Sequence, residues 1–137
     1  MNTDDDNLMT ELSIHPVGRI EGDNIYITDP KSVNEDGSIT YYARIYNLTR
    51  MSILELDDIK KVWKATRDNC RKKVKKPSFS IAINCCGRSK TFEDRKLMNS
   101  FVSTVSSGYG NLVTLSGFGE QLNCSHFNQT LVLAIFE

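Results

Sequence analysis

INCCGRSKTF (83–92), with LVTLSGFGEQL (112–122) and HFNQTLVLAIF (126–136) behind it, decides how this chain folds. FSIAIN (79–84) is a short apolar run rich in β-prone residues and reads as a central strand. It empties into a polar turn, Cys85-Cys86-Gly87-Arg88, that feeds a helix. Leu97, Met98, Phe101, Val102 and Val105 recur at helical spacing and predict one helix over 91–106. Thr91 and Asp94 fit a loose capping box at its start. Gly108 and Gly110 end it and turn the chain. LVTLSGF (112–118) and TLVLAIF (130–136) are strands. Strand, helix and strand make a right-handed crossover, so 79–84 and 112–118 are expected to be parallel. The last strand returns antiparallel.

The pattern extends toward the N-terminus. Residues 1–10 are polar, with Asp4, Asp5 and Asp6 in a row, and predict a flexible acidic head over 1–13. A single domain follows over 14–137. His15 precedes Pro16 and is held extended. NIYIT (24–28) alternates as a strand, Asn34-Glu35-Asp36-Gly37 is a turn cluster, and SITYYARIY (38–46) is a second strand. MSILEL (51–56) is a possible third. Ile59, Val62, Trp63, Thr66, Cys70 and Val74 share one face of a helix over 57–74. Asp57 and Asp58 suit its positive end, Arg71 to Lys76 suit its negative end, and Pro77 stops it. The predicted class is α+β, a mixed, mainly antiparallel sheet with two helices in the order β-β-(β)-α-β-α-β-β.

Composition narrows the function. Seventeen basic and seventeen acidic residues cancel, so no global charge points to nucleic acid or an anionic membrane. The basic cluster at 71–76 reads as a dipole complement and a solvated face. No apolar run nears the roughly 20 residues that span a bilayer. MNTDDDNLMTEL has no apolar core of a secretory signal, which predicts a cytoplasmic protein. The four cysteines (Cys70, Cys85, Cys86, Cys124) have no CxxC spacing and are expected to be reduced thiols. The glycosylation-like tripeptides at Asn47, Asn123 and Asn128 are then coincidental. The sequence has no dinucleotide fingerprint, phosphate-binding loop, zinc-protease helix or hydrolase elbow, and no enzymatic activity is assigned.

Chemistry concentrates at two places. Cys85, Cys86, Gly87 and Arg88 lie where a strand meets a helix N-terminus, with free amides and a positive dipole end. Gly87 permits close approach of a ligand, Arg88 offers a planar fork for a carboxylate or phosphate, and Lys90 adds a second cation. The plainer alternative is an Arg88–Glu120 ion pair with Lys90 solvated. Adjacent cysteines in a strand face opposite ways. One is then buried, and the other is a nucleophile, redox sensor, ligand contact or simple packing residue. A catalytic thiol needs a base, and only His15 and His126 are available. Cys85, Cys86, Cys124 and His126 have no recognised zinc spacing, and neither metal nor cofactor is assigned. The second place is Ser116-Gly117-Phe118-Gly119-Glu120, where two glycines permit a bend that projects Glu120. Facing Arg88, Glu120 would complete a clamp, cation for an acid and carboxylate for an amine. A surface glutamate is the alternative. His126 and Asn128 open the last strand as donors and acceptors, and Asn128 also suits tying down a loop.

These residues resemble the FIST C-terminal domain family of intracellular signal-transduction sensors. The resemblance rests on the Cys85-Cys86-Gly87-Arg88 turn, on Gly117-Phe118-Gly119-Glu120, on the strand His126-Phe127-Asn128-Gln129-Thr130-Leu131, and on HPVG (15–18). It implies a non-enzymatic sensor for a small anionic or amino-acid-like metabolite. Cys85, Cys86, Gly87, Arg88, Gly119, Glu120, His126 and Asn128 would then be its ligand-binding residues. It also implies partners: a FIST N-terminal half or a signalling protein, or a second copy in a homodimer. A ligand-free interaction module, or a thiol site at Cys85 or Cys86, are the other readings.

Overall fold

The computed structural model describes the backbone of residues 5–137 and the side chains from Asn7 onward. Asp5–Ile14 is helix α1, over part of the stretch expected to be a flexible head. Residues 1–4, also within that expectation, lie outside the described residues. After α1, β1 (Val17–Glu21) and β2 (Asn24–Thr28) form a tight antiparallel hairpin. β3 (Pro30–Val33) and β4 (Ile39–Tyr41) make a separate ribbon across the expected Asn34–Gly37 turn. The strand expected over 38–46 is therefore only three residues long. β5 (Ser52–Ile53) adds to β1 and completes a sheet of order β2-β1-β5.

Helix α2 (Ile59–Lys73) begins where Asp58 accepts the amides of Lys60 at 2.9 Å and Lys61 at 3.1 Å. That is an N-cap, and it satisfies two donors the helix leaves unpaired. Arg71, Lys72 and Lys73 occupy the last turn, as the dipole favours. β6 (Phe79–Cys85) then runs directly into α3 (Cys86–Asp94), which is followed by α4 (Met98–Ser106). One helix was expected over 91–106; the structure has two, and the first starts earlier. The break has a clear cause. Lys96 takes a positive φ of 56°, its amide bonds the Glu93 carbonyl, and the Leu97 amide bonds the Phe92 carbonyl. This is a Schellman closure with lysine where glycine is usual. Thr91 lies inside α3, and its hydroxyl donates to the Gly87 carbonyl at 3.1 Å, so no capping box forms there.

β7 (Asn111–Gly117) pairs parallel with β6, and β10 (Leu131–Phe136) pairs antiparallel on β6's other side. This is the crossover and return expected from sequence. Gly110 makes the entry to β7 possible: its φ is 74°, and a Cβ there would lie 2.5 Å from the Ser78 carbonyl carbon. Between β7 and β10, β8 (Glu120–Leu122) and β9 (Ser125–Phe127) form a hairpin where only a loop was expected. The class is α+β as expected, with four helices and several mainly antiparallel sheets among the described residues in place of two helices and one sheet.

The inner face of β10-β6-β7 is covered by helices. Trp63, Ala82, Phe92, Phe101, Val105 and Tyr109 form the core. Trp63, Phe92 and Phe101 form a triangle with every pair of ring centroids 5.2 Å apart. Each such pair adds about 0.5–1.5 kcal/mol beyond area burial. Trp63 comes from α2, Phe92 from α3 and Phe101 from α4, so the triangle fixes all three helices against the sheet. The opposite face carries Ile81, Ile83, Val113, Leu115, Val132 and Ala134 by register and alternation. Leu115 on that face is 53% exposed and Val113 is 44% exposed, so no other described element covers them.

Candidate functional site

The strand-to-helix switch at Cys85 builds the site. Cys85 ends β6 and is fully buried; Cys86 opens α3 and is exposed. This resolves which thiol faces outward. Burial pushes the Cys85 thiol up, against the amides of Gln129, Arg88 and Gly87, which favour its ionised form. The sulfur makes no cap hydrogen bond. Gly87 follows in the first turn of α3, pressed against Asp29 at the β2–β3 corner. A Cβ at Gly87 would lie 2.8 Å from Asp29 Oδ2 and 3.4 Å from Gln129 Nε2.

Asp29 is buried, and desolvation raises its pKa although Gln129 opposes that shift. Gln129 Nε2 donates to Asp29 Oδ1 at 2.9 Å. The Asp29 amide donates to Asn128 Oδ1 at 3.2 Å, and the Asn128 amide donates to the Ile27 carbonyl at 3.3 Å. Asn128 therefore ties the β2–β3 corner to the start of β10, the loop-fixing role its chemistry allowed. These groups open onto a cavity of about 460 Å³ between α1 and α3. Its wall includes Met9 and Ser13 of α1, Asp29, Cys86, Gly87 and Lys90. Lys90 Nζ lies 3.0 Å from Asp94 Oδ2 in an exposed pair. The cavity thus holds a buried carboxylate on one wall, and an ammonium and a helix N-terminus on the other.

Arg88 does not join this cavity. It points beneath α3, where its Nη1 donates to Asn84 Oδ1. Its guanidinium lies 4.4 Å from the Phe92 ring centroid and 5.0 Å from that of Phe101. Burial lowers its pKa to about 10, against the attraction of Glu120 and Cys85, so it stays a cation at neutral pH. Glu120 is also interior, not projected from a bend. Its Oε2 accepts from the Thr130 hydroxyl at 2.7 Å, and Oε1 has no partner among the described residues. Desolvation raises the Glu120 pKa more than Thr130 and Arg88 lower it. Arg88 and Glu120 feel each other's charge but form no ion pair within 4 Å. They make neither a direct salt bridge nor two jaws of one cavity.

The remaining expected residues cluster nearby. Gly119 packs under the His126 ring, and a Cβ there would lie 2.4 Å from Cε1. His126 Nε2 is 3.4 Å from Asn128 Nδ2. Of the eight expected residues, Cys85, Cys86, Gly87 and Asn128 line the α1–α3 cavity, and Arg88, Gly119, Glu120 and His126 do not. Asp29, Gln129 and α1 were missed. Asp29 precedes a proline in an apparent loop, and nothing local ties it to Gln129, distant in sequence. The described cysteines are all free, and no three His, Cys, Asp or Glu among the described residues gather as a metal site. No described helix is long and apolar enough to cross a membrane.

A family model described as FIST C domain matches residues 1–123. No curated protein and no solved structure gives a match.

Proposed function

The chain belongs to the FIST C domain family, a module of signal-transduction sensors. On that premise we propose that it is a non-enzymatic sensor that binds a small amino-acid-like metabolite between α1 and the start of α3. The observation that carries this is the buried Asp29 carboxylate facing a cavity whose other wall holds Lys90 and the α3 N-terminus. A ligand ammonium suits Asp29, and a ligand carboxylate suits the helix amides and Lys90. Gly87 keeps the approach to Asp29 clear. The cavity volume falls in the range that small-molecule sites occupy. Four free thiols are in keeping with a cytoplasmic location. A signalling protein, or a FIST N-terminal half, would read the occupied state.

A second reading rests on the bare outer face of β10-β6-β7. Contiguous exposed apolar residues such as Ile83, Val113 and Leu115 suit a protein interface. A homodimer or a partner half would cover them, and the melting temperature would then rise with protein concentration.

The test is a thermal-shift screen of amino acids, dicarboxylates and phosphometabolites at two protein concentrations. A ligand at 100 times its Kd stabilises by about 2.7 kcal/mol. The expected hit carries both an amine and a carboxylate and is lost in Asp29→Asn. Hits confined to dianions would refute the zwitterion reading.

A further inference from the structure

A second cavity, also about 460 Å³, lies on the other side of α3, between the β2-β1-β5 sheet and α2. Thr91 and Gln129 form the partition between the two cavities. The second is apolar on most sides: Ile27 from β2, Leu54 after β5, Ile59 and Trp63 from α2, and Phe92 from α3. Arg88 supplies the cation on its wall.

That guanidinium is half-buried and only partly paired. It has five N–H donors, and among the described residues its only hydrogen-bond acceptor is Asn84. Phe92 and Phe101 contact its ring-facing surface but accept no N–H in the plane. Its charge partner Glu120 is turned toward Thr130 and stands outside ion-pair distance. A half-buried cation with spare donors on a cavity wall gains most from a planar anion that meets it edge on.

We propose that this cavity is a second ligand site, for a small apolar monocarboxylate such as an aromatic or branched-chain acid. The acid group pairs with the free edge of Arg88, and the apolar body lies against Ile27, Leu54 and Trp63. Glu55 and Asp57, both exposed, stand at the edge of the cavity. Their charge disfavours a second carboxylate, so dicarboxylates bind worse than monocarboxylates. The groups proposed to bind here, Arg88, Ile27, Leu54 and Trp63, line this cavity and not the Asp29 cavity, with which it shares only Thr91 and Gln129, so either site can fail without the other.

Trp63 is the single tryptophan of the chain and lines the cavity, so its fluorescence reports occupancy. The full chain is titrated with 4-bromophenylacetate and with the neutral 4-bromophenylacetamide, whose bromine quenches nearby indole. The acid is expected to quench saturably, with the amide at least about tenfold weaker for want of a charge-assisted pair. Asp29→Asn should leave the acid's curve unchanged, and Arg88→Met should weaken it by a similar factor. Should Arg88→Met fail to fold, the acid and amide pair in the wild type still decides. Equal quenching by acid and amide, or quenching that never saturates, overturns the proposal. Loss of the acid's quenching in folded Asp29→Asn would overturn its placement in this cavity.

Discussion

Asp29 and Gly87 meet so closely that a β-carbon on Gly87 would lie 2.8 Å from the Asp29 carboxylate. The contact joins the β2–β3 corner to the first turn of α3, and it sets how open the Asp29 cavity is. Asp29 cannot easily yield, because Asn128 holds its amide and Gln129 holds its side chain.

Gly87→Ala tests that contact. Alanine in a helix interior normally gains roughly 0.5–1 kcal/mol over glycine. Here the new methyl must displace a short, tethered, buried side chain, and overpacking costs about 1–3 kcal/mol. The variant is expected to be destabilised in urea unfolding and to lose ligand-induced stabilisation. A more stable variant with full ligand response would show that Asp29 is free to move.

The aromatic triangle predicts a strong contrast between two phenylalanines. Phe101 is 2% exposed and touches Trp63, Phe92 and Arg88, whereas Phe118 is 84% exposed. Phe101→Ala should cost about 3–5 kcal/mol. Phe118→Ala should stay within about 0.5 kcal/mol. Equal losses in denaturant melts would contradict the placement of the core.

The thiols should separate by access. Cys86 and Cys124 are exposed, and Cys85 is buried with its pKa pushed up. Alkylation followed by peptide mass mapping should label Cys86 and Cys124 in native protein and Cys85 only on unfolding. Rapid native labelling of Cys85 would revive a thiol-based role for that residue.

Burial raises the carboxyl pKa values of Asp29 and Glu120 above their ordinary values of 3.8 and 4.5. For an acid raised in the folded state, the native form binds more protons than the unfolded one. The associated stability is full below the unfolded pKa and is lost as pH rises through the folded pKa. The ligand-free protein should therefore lose stability as pH rises above the ordinary carboxylate range. Glu120→Gln, which keeps an acceptor for Thr130, should flatten part of that slope. Ligand binding should run the other way, strengthening as Asp29 ionises. Denaturant titrations at pH 5 and pH 8 check both signs, and a wild type that is more stable at pH 8 would refute the first.

Much of this was legible in the residues. The parallel β6–β7 pair, the antiparallel return of β10 and helix α2 all follow from periodicity and the Pro and Gly stops. What escaped was set by tertiary context. The α3–α4 break depends on a left-handed Lys96, for which lysine gives no local signal. The β8–β9 hairpin is three residues a side, too short for alternation to announce. The sequence offers Arg88 and Lys90 as two cations of one turn, CCGRSK (85–90), and the structure parts them. Lys90 reaches the Asp29 cavity, while Arg88 folds under α3 because Phe92, one turn on, and Phe101 of α4 give its guanidinium an aromatic surface. Asp29 reaches the site through a hydrogen bond to Asn128, a pairing no window of sequence contains.

The central claim is that Asp29 receives the ammonium of an amino-acid-like ligand. The most direct measurement is calorimetric titration of the amino acid that scores highest in the thermal screen, run beside its N-acetyl derivative, against wild type and Asp29→Asn. The account predicts binding of the free amino acid to wild type alone, with at least about tenfold loss on either acetylation or substitution. Equal affinity for the acetylated compound, or for folded Asp29→Asn, would contradict it.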